Sequence, residues 1–478
     1  MPKPMLKLSL LCKKYLFWWV VFISVFIPLY PKFPLFSIPG TYVAVRVEDF
    51  LIAVVICWWL IAIFPQIKTF VSETVTLTFL LFFSIGALSL FSAIFLTQTI
   101  TPHLGFFHLL RRIEVMMLFF VSLSAFTSLK QVKIWLGAMF IATSVVILYG
   151  FGQQLLSFPV ISTTNKEFSK GLVLFLSPEA RVNSTFAGHY DLASYLSLFL
   201  TMALSFWIFH KRYFQKLGIA VVGLAGFILL SLTAARVSFF TAILGLTSVL
   251  FISGHKKLIL LLFILSILSF LVFPELRHRT VATLTVNLLG GGGPKYSIPP
   301  QKENPTKTFS IENAASGLGT LSGVPVDVAP GEPLNTMELG VYRSFGIRLN
   351  EEWPRAIRAF WKNPFLGTGY SSITISTDND YLRSLGETGL LGTLSLMLIF
   401  YLILKKIIKF LRKRSLTLVY YLNLGIFCGL LVIFLTIIFI DVLEASKIAA
   451  LLWLSLGVGL SAIRIEENRA KPLVHPFR

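Results

Sequence analysis

Apolar runs too long for the core of a soluble domain dominate this chain. Stretches near 14–31, 49–66, 73–96, 107–126, 131–154, 190–209, 216–233, 236–253, 256–273, 387–405, 418–440 and 446–463 are mostly apolar, and each approaches the roughly 20 residues a helix needs to cross a bilayer. Inside hydrocarbon the backbone finds no water, so such segments satisfy their own hydrogen bonds as helices. The expected fold class is all-α: a polytopic integral membrane protein with about 12 transmembrane helices. Composition agrees. Of 478 residues 55% are hydrophobic and only 13% charged, too little charge to cover a soluble surface of that size. The 45 Phe and 9 Trp suit side chains facing lipid or lying at headgroup level.

The net charge of +20 raises the question of nucleic acid. Basic residues of a nucleic-acid protein gather on one folded face, whereas here they form short groups between apolar runs, as topology signals do. No nucleic-acid partner is expected. With the N-terminus placed in the cytoplasm, inner segments hold about 22 Lys and Arg against about 9 in the short outer ones. The remaining 11 or so lie in one long loop that the charge rule does not count. Twelve spans with both termini cytoplasmic are self-consistent. Lys3, Lys7, Lys13 and Lys14 precede the first run, which is bulky and lacks a small-x-small cleavage site; it reads as a retained signal anchor. Cys12, Cys57 and Cys428 sit in or beside apolar segments without metal-ligand spacing, as packing residues do.

The chain thus divides into an N-terminal transmembrane bundle of about nine spans (1–273), an extracytoplasmic loop (274–386), C-terminal transmembrane helices (387–463) and a cytoplasmic tail (464–478). The first half of the loop, with Gly290–Gly293 and "PKYSIPPQKENPTK", is Gly/Pro-rich and polar and reads as flexible. In the second half, Ile347, Trp353, Ile357, Phe360 and Trp361 fall near helical spacing before Asn363-Pro364 and the turns at Gly367 and Gly369. This helix either lies along the outer membrane surface or packs as an ordinary loop helix.

Ionisable residues near spans are costly and point to function. Glu48 and Asp49, Arg111, Arg112 and Glu114, Arg181 and His189, Arg236, Asp378 and Asp380, and Asp441, Glu444 and Lys447 all fall toward the outer ends of the spans. Glu48, Arg111 and Lys447 are most simply snorkelling groups or structural ion pairs, and His189 is equally well a structural histidine. As a set they describe a polar site opening outward. Two or three Arg suit a phosphate or diphosphate, because guanidinium offers fixed paired donors to anionic oxygens. A nearby carboxylate suits proton abstraction from a hydroxyl. No Walker loop, dinucleotide fingerprint, zincin motif or metal-ligand cluster occurs, so no cofactor or metal is expected.

Three segments in order resemble the bacterial O-antigen ligase and O-antigen polymerase family. "RVNSTFAGHYDLASYLSLFL" (181–200) is similar to the family's Arg-x-x-Gly/Ser-Thr-Phe segment entering a span. "SLTAARVSFFTAILGL" (231–246) is similar to its Thr-x-Ser-Arg turn, with Ala235 where Ser is usual. "NPFLGTGYSSITISTDNDYLRSLGETGLLGTLSL" (363–396) resembles its Asn-Pro-x-x-Gly-x-Gly, His/Asp-Asn-x-Tyr-Leu and Glu-x-Gly-x-x-Gly motifs. The resemblance covers the chain from about 181 onward. It implies a GT-C-like helical glycosyltransferase of the bacterial cytoplasmic membrane, acting in lipopolysaccharide or other envelope polysaccharide biosynthesis. Such enzymes move a glycan from undecaprenyl diphosphate, with inversion, to a hydroxyl acceptor: lipid A core, a second lipid-linked glycan or another. By motif position Arg181 and Arg236, with Arg112 beside them, would hold the diphosphate; Asp378 would be the base, Asn379 would orient it and Asp380 would share the role. Asp378 stands where the family often has His. With reference pKa values of about 3.9 and 6.5, it is the weaker base unless burial raises it.

Two other classes stand beside this one. A polysaccharide or lipid-linked glycan transporter or flippase suits twelve spans, although the sequence shows no matched pair of Gly/Pro-broken midplane segments. A non-catalytic envelope scaffold would tolerate loss of the Asp378 carboxylate.

Overall fold

The computed structural model describes residues 3–37, 44–164, 171–177, 180–286, 336–373, 376–444 and 446–470. The Gly/Pro-rich first half of the long loop, expected to be flexible, lies outside these described residues, as does the end of the tail. The described chain is helical apart from two small antiparallel hairpins, β1 (Pro34–Ser37) with β2 (Ala44–Arg46) and β3 (Pro159–Val160) with β4 (Leu174–Phe175). The first eight helices are α1 (Lys3–Leu29), α2 (Val47–Ile63), α3 (Ile67–Val71), α4 (Thr74–Phe95), α5 (Pro102–Ala125), α6 (Leu129–Leu155), α7 (His189–Phe209) and α8 (Tyr213–Leu232). There follow α9 (Arg236–Ile252), α10 (Lys257–Val272), α11 (Pro274–Thr285), α12 (Thr336–Ile347), α13 (Trp353–Lys362), α14 (Asp380–Leu411), α15 (Leu418–Thr436) and α16 (Ser446–Ala470).

Each of the twelve apolar segments coincides with one of these helices. Among the described residues nine are long and apolar enough to cross a membrane, or ten if α10 and α11, bent by 94° at Pro274, form one span. That is fewer than the twelve expected. The shortfall has a local cause: α9 has only 17 residues, and α5 carries Arg111, Arg112 and Glu114 in its middle. What the structure supports is an all-α, polytopic, membrane-like architecture.

Burial sorts the helices. The apolar window of α16 is 89% buried inside the bundle and those of α7 and α15 78%, whereas that of α2 is 22% buried, so the first three form the centre. They approach closely because small residues line the contacts: a Cβ on Gly457 would stand 2.3 Å from the Phe119 carbonyl oxygen of α5, and one on Gly425 2.7 Å from Met202 Cα of α7. Side chains then bond across helices. Ser205 Oγ donates to Tyr421 O at 2.5 Å and Asn423 Nδ2 to Gly459 O at 3.2 Å. The outer ring instead leaves Phe91, Phe95, Ile141, Leu148 and Phe263 exposed, an apolar exterior that suits lipid and not water.

The bundle has two polar ends. At one, Lys447 Nζ donates to Thr185 O at 3.0 Å, Thr185 Oγ1 to Pro28 O at 2.7 Å, and Arg112 Nη1 to Leu443 O at 3.2 Å. The end of α1, the entry to α7, the start of α16 and α5 therefore share a face. Lys447, fully buried, ties these elements together by donating to the carbonyls of Pro28 and Thr185, a contact different from the snorkelling or ion pairing expected of it. At the opposite end Ser9 Oγ bonds Ala62 O, Arg464 pairs with Glu73 and Lys413 with Glu467.

The C-terminal spans do not restart at residue 387, as the hydropathy suggests, but at Asp380. Asn379 caps the helix, its Oδ1 accepting from Leu382 N at 3.0 Å, and Asp380, Arg383 and Glu387 are buried by pairing with other groups. The helix then breaks at Gly389, whose φ of +65° and ψ of −167° are not helical. The break lies about 13 Å into the helix at the usual rise per residue. It frees backbone groups that "NPFLGTG" satisfies: Thr368 N donates to Gly386 O and Gly369 N to Glu387 O, each at 2.9 Å, and Leu390 N donates to Pro364 O at 2.8 Å. Ser89 Oγ of α4 adds a bond to Glu387 O at 2.8 Å. Irregular backbone inside a bundle survives only where protein closes its hydrogen bonds, and here it does.

The expected loop helix is present as one continuous run from 336 to 362, with a widened π turn at Arg348–Glu352. The wide turn precedes Pro354, which has no N–H and whose ring would collide with the carbonyl of Asn350 in a regular helix. α13 packs on α14 at Ala356, whose carbonyl would stand 2.9 Å from a Cβ on Gly386, and leaves Ile357 and Trp361, with Phe365 in the turn after it, exposed.

Candidate functional site

On the face shared by Thr185 and Lys447, four arginines from four segments converge. Arg181 lies in the entry to α7, Arg236 opens α9, Arg279 is on α11 and Arg348 on the π turn. Arg236 feels the charges of Arg279, Arg181 and Arg348. Each is held differently. Arg181 Nη1 donates to His189 Nε2 at 2.5 Å, which requires that ring nitrogen to be the acceptor, and its guanidinium lies 5.9 Å from the Tyr190 ring centre. Arg236 Nη1 donates to Arg279 O at 3.0 Å and also to Thr283 Oγ1. Arg279 pairs with Glu275 one turn earlier, and Arg348 pairs with Asp378, Nη2 to Oδ2 at 2.5 Å. Carboxylates offset two of the four charges, those of Arg279 and Arg348; the guanidinium fork matches phosphate oxygens, so the cluster suits a phosphate or diphosphate.

Asp378 sits at the edge of this group. Its backbone is left-handed, with φ of +47°, a region that Asp visits more readily than most non-glycine residues. Asp441 holds the segment on both sides of it. One Asp441 oxygen accepts from Thr377 N at 2.9 Å and the other from Asn379 N at 3.0 Å, so the amides on both sides of Asp378 are clamped. Arg383 Nη2 in turn donates to Asp441 Oδ2 at 3.1 Å, and Arg383 also pairs with Glu387. Thus held, the Asp378 carboxylate accepts from Ser376 Oγ at 2.7 Å as well as from Arg348, and its side chain is 30% exposed.

Glu352, on the same π turn, lies close enough to feel the charges of both members of the pair. Burial, reinforced by the charge of Asp378, pushes its carboxyl above the usual range, and among the described residues its Oε2 has no hydrogen-bond partner. It is a second carboxyl beside Asp378 that holds a proton more readily.

Of the six residues singled out from the sequence, Arg181, Arg236 and Asp378 are linked through Arg236 and Arg348. Arg112 and Asp380 lie apart from that cluster, on the side of the last interhelical link. Arg112 pairs with Glu444, and Asp380 is buried with Oδ2 accepting from both Val442 N and Leu443 N at 2.8 Å. Asp380 thereby anchors residues 441–444, the segment that carries Asp441. Asn379 caps α14 through its side chain and is clamped through its amide. Sequence reasoning counted Asp441 among the charged residues of an outward-opening site without giving it a role, and it did not single out Arg279, Arg348, Glu352 or Arg383. One signal was available for Arg383: Asp380, Arg383 and Glu387 are spaced to share a helix face. No metal-ligating cluster of His, Cys, Asp and Glu occurs among the described residues. Compared with known proteins, the chain matches no family model and no curated protein sequence.

Proposed function

We propose that this chain transfers a glycan from a lipid-linked diphosphate carrier, of the undecaprenyl type, to a hydroxyl acceptor at the outer face of a bacterial cytoplasmic membrane. The observation that carries this reading is the convergence of Arg181, Arg236, Arg279 and Arg348 beside an accessible carboxylate. A diphosphate seated among the four guanidinium groups gains charge-assisted hydrogen bonds, and these strengthen as negative charge develops on it as the leaving group. The acceptor oxygen attacks the anomeric carbon from the opposite face, the carbon–oxygen bond to the diphosphate breaks, and the hydroxyl proton passes to Asp378. Inversion follows from the single displacement. The low basicity expected of Asp is offset in part by the neighbouring Glu352, whose raised affinity for a proton provides a second resting place.

On this reading twelve helices span the membrane in a GT-C-like arrangement with both termini cytoplasmic, and α5 and α9 are spans shortened or charged because they border the site. The exposed Ile357 and Trp361 of the loop helix and Phe365 in the turn after it suit a seat in the outer interface, with the acceptor entering above it. Ligase and polymerase chemistry share every step and differ in the acceptor.

Arg181→Ala and Arg236→Ala are each expected to lower transfer from a purified lipid-linked diphosphate donor by about 10²–10³-fold with folding intact. Full activity in both variants at normal protein level sinks the proposal. Asp378→Asn is expected to lose about 10²–10⁴-fold in the same assay while donor binding, measured separately, persists. Loss of donor binding instead would make Asp378 a strut for Arg348. The break at Gly389 gives a transporter reading one observation of its own, since broken helices mark many transport sites. Its freed backbone groups are instead bonded by residues 364–369, which favours the transferase.

A further inference from the structure

A cavity of about 600 Å³ opens at the opposite end of the bundle. Phe119 and Phe120 of α5 and Phe410 of α14 form its apolar floor, and the start of α4 and the end of α16 close its sides. Its rim is charged. Two carboxylates reach it and both are already engaged: Glu73 accepts from Arg464 Nη2 at 3.1 Å, and Glu467 accepts from Lys413 Nζ at 2.6 Å. Lys406 and Lys409, about one turn apart on α14, line the same space. Among the described residues neither has an ion pair or hydrogen bond. A lysine near a helix end needs only water or headgroups to snorkel toward. Two unpartnered lysines at the mouth of a concave cavity with a hydrocarbon floor make something more specific. They present an anion site continuous with an apolar one, the shape of a charged amphiphile. Basic cavities between spans bind anionic headgroups for this reason.

We propose that this cavity binds the phosphodiester headgroup of an anionic membrane phospholipid. Lys406 and Lys409 donate to the phosphate oxygens, and the upper acyl carbons rest on Phe119, Phe120 and Phe410. The occupant is a resident lipid and takes no part in chemistry at the arginine cluster, from which the whole length of the bundle separates it. The lysines are exposed, so the cavity keeps its shape when they are replaced.

The test is native mass spectrometry on the delipidated full-length protein in detergent, titrated with phosphatidylglycerol, with phosphatidylcholine, and with inorganic phosphate alone. Phosphatidylglycerol is expected to bind roughly 10-fold better than phosphatidylcholine, and K406Q/K409Q to weaken it by roughly 5-fold per lysine. The variant is expected to keep the melting temperature of the lipid-free protein, and K406R/K409R to retain binding. Equal retention of the two lipids overturns the proposal, as does undiminished phosphatidylglycerol binding by K406Q/K409Q. Binding of inorganic phosphate without a preference for the anionic lipid assigns the site to a free anion and overturns the lipid.

Discussion

Asp441→Ala is expected to unsettle the site more than loss of any residue that would touch substrate. The substitution strands the amides of Thr377 and Asn379 and removes the nearer of the two carboxylates that pair with Arg383, a side chain only 9% exposed. Breaking a buried ion pair from one side typically costs about 3–5 kcal/mol, because the remaining charge stays desolvated. The backbone clamp around Asp378, at φ of +47°, is then lost, leaving only the contacts of its carboxylate with Ser376 and Arg348, and the segment loosens. Thermal unfolding in detergent should fall by several degrees, and any transfer activity should vanish with it. Asp441→Asn, which keeps one acceptor but turns an NH₂ group toward the other donors, should recover part of the stability and little of the activity. Unchanged melting and activity in Asp441→Ala would show that the clamp is dispensable.

Gly367→Ala should prevent the C-terminal half from assembling. Gly367 has φ of +69°, and a Cβ there would stand 2.4 Å from the carbonyl carbon of Glu387 and 2.6 Å from Gly389 N. Gly389, its counterpart across the break, would place a Cβ 2.4 Å from the Phe365 carbonyl oxygen. Backbone meets backbone on both sides, so no rotamer relieves the overlap. Left-handed strain and overpacking together cost about 2–5 kcal/mol, and separating the two strands of the contact also exposes the carbonyls and amides freed at the break. Either substitution is expected to yield aggregated or degraded protein on size-exclusion chromatography. Gly218→Ala is the control: it sits in α8 with nothing within 4 Å and should change stability by no more than about 1 kcal/mol. A monodisperse Gly367→Ala protein with wild-type melting would disprove the tight docking.

Much of this architecture was legible in the one-dimensional pattern. A span is a local object, since its length and apolarity are properties of consecutive residues. Each of the twelve apolar segments accordingly appears as a helix, and even the amphipathic helix ending at Lys362 is where its spacing placed it. Counting spans was less secure. Arg111, Arg112 and Glu114 interrupt α5, and a tertiary partner such as Glu444 for Arg112 is what lets a charged helix remain in the bundle.

The site divides along the same line. The sequence by itself determined that the apolar runs are helices and that charged residues crowd one end of them. It also drew attention to Arg181, Arg236 and Asp378. It put Asp378 first as the base and left Asp380, two residues on and chemically identical, to share the role. Only the tertiary structure separated them, leaving Asp378 30% exposed against Arg348 and burying Asp380 beneath the amides of Val442 and Leu443. Arg279 and Arg348 entered the same way, from segments far apart in the chain, and so did the clamping role of Asp441. A span follows from how a stretch of residues meets lipid, whereas a carboxylate's role depends on which donors the fold brings to its oxygens. Those donors are set by contacts between distant segments, which no local pattern records.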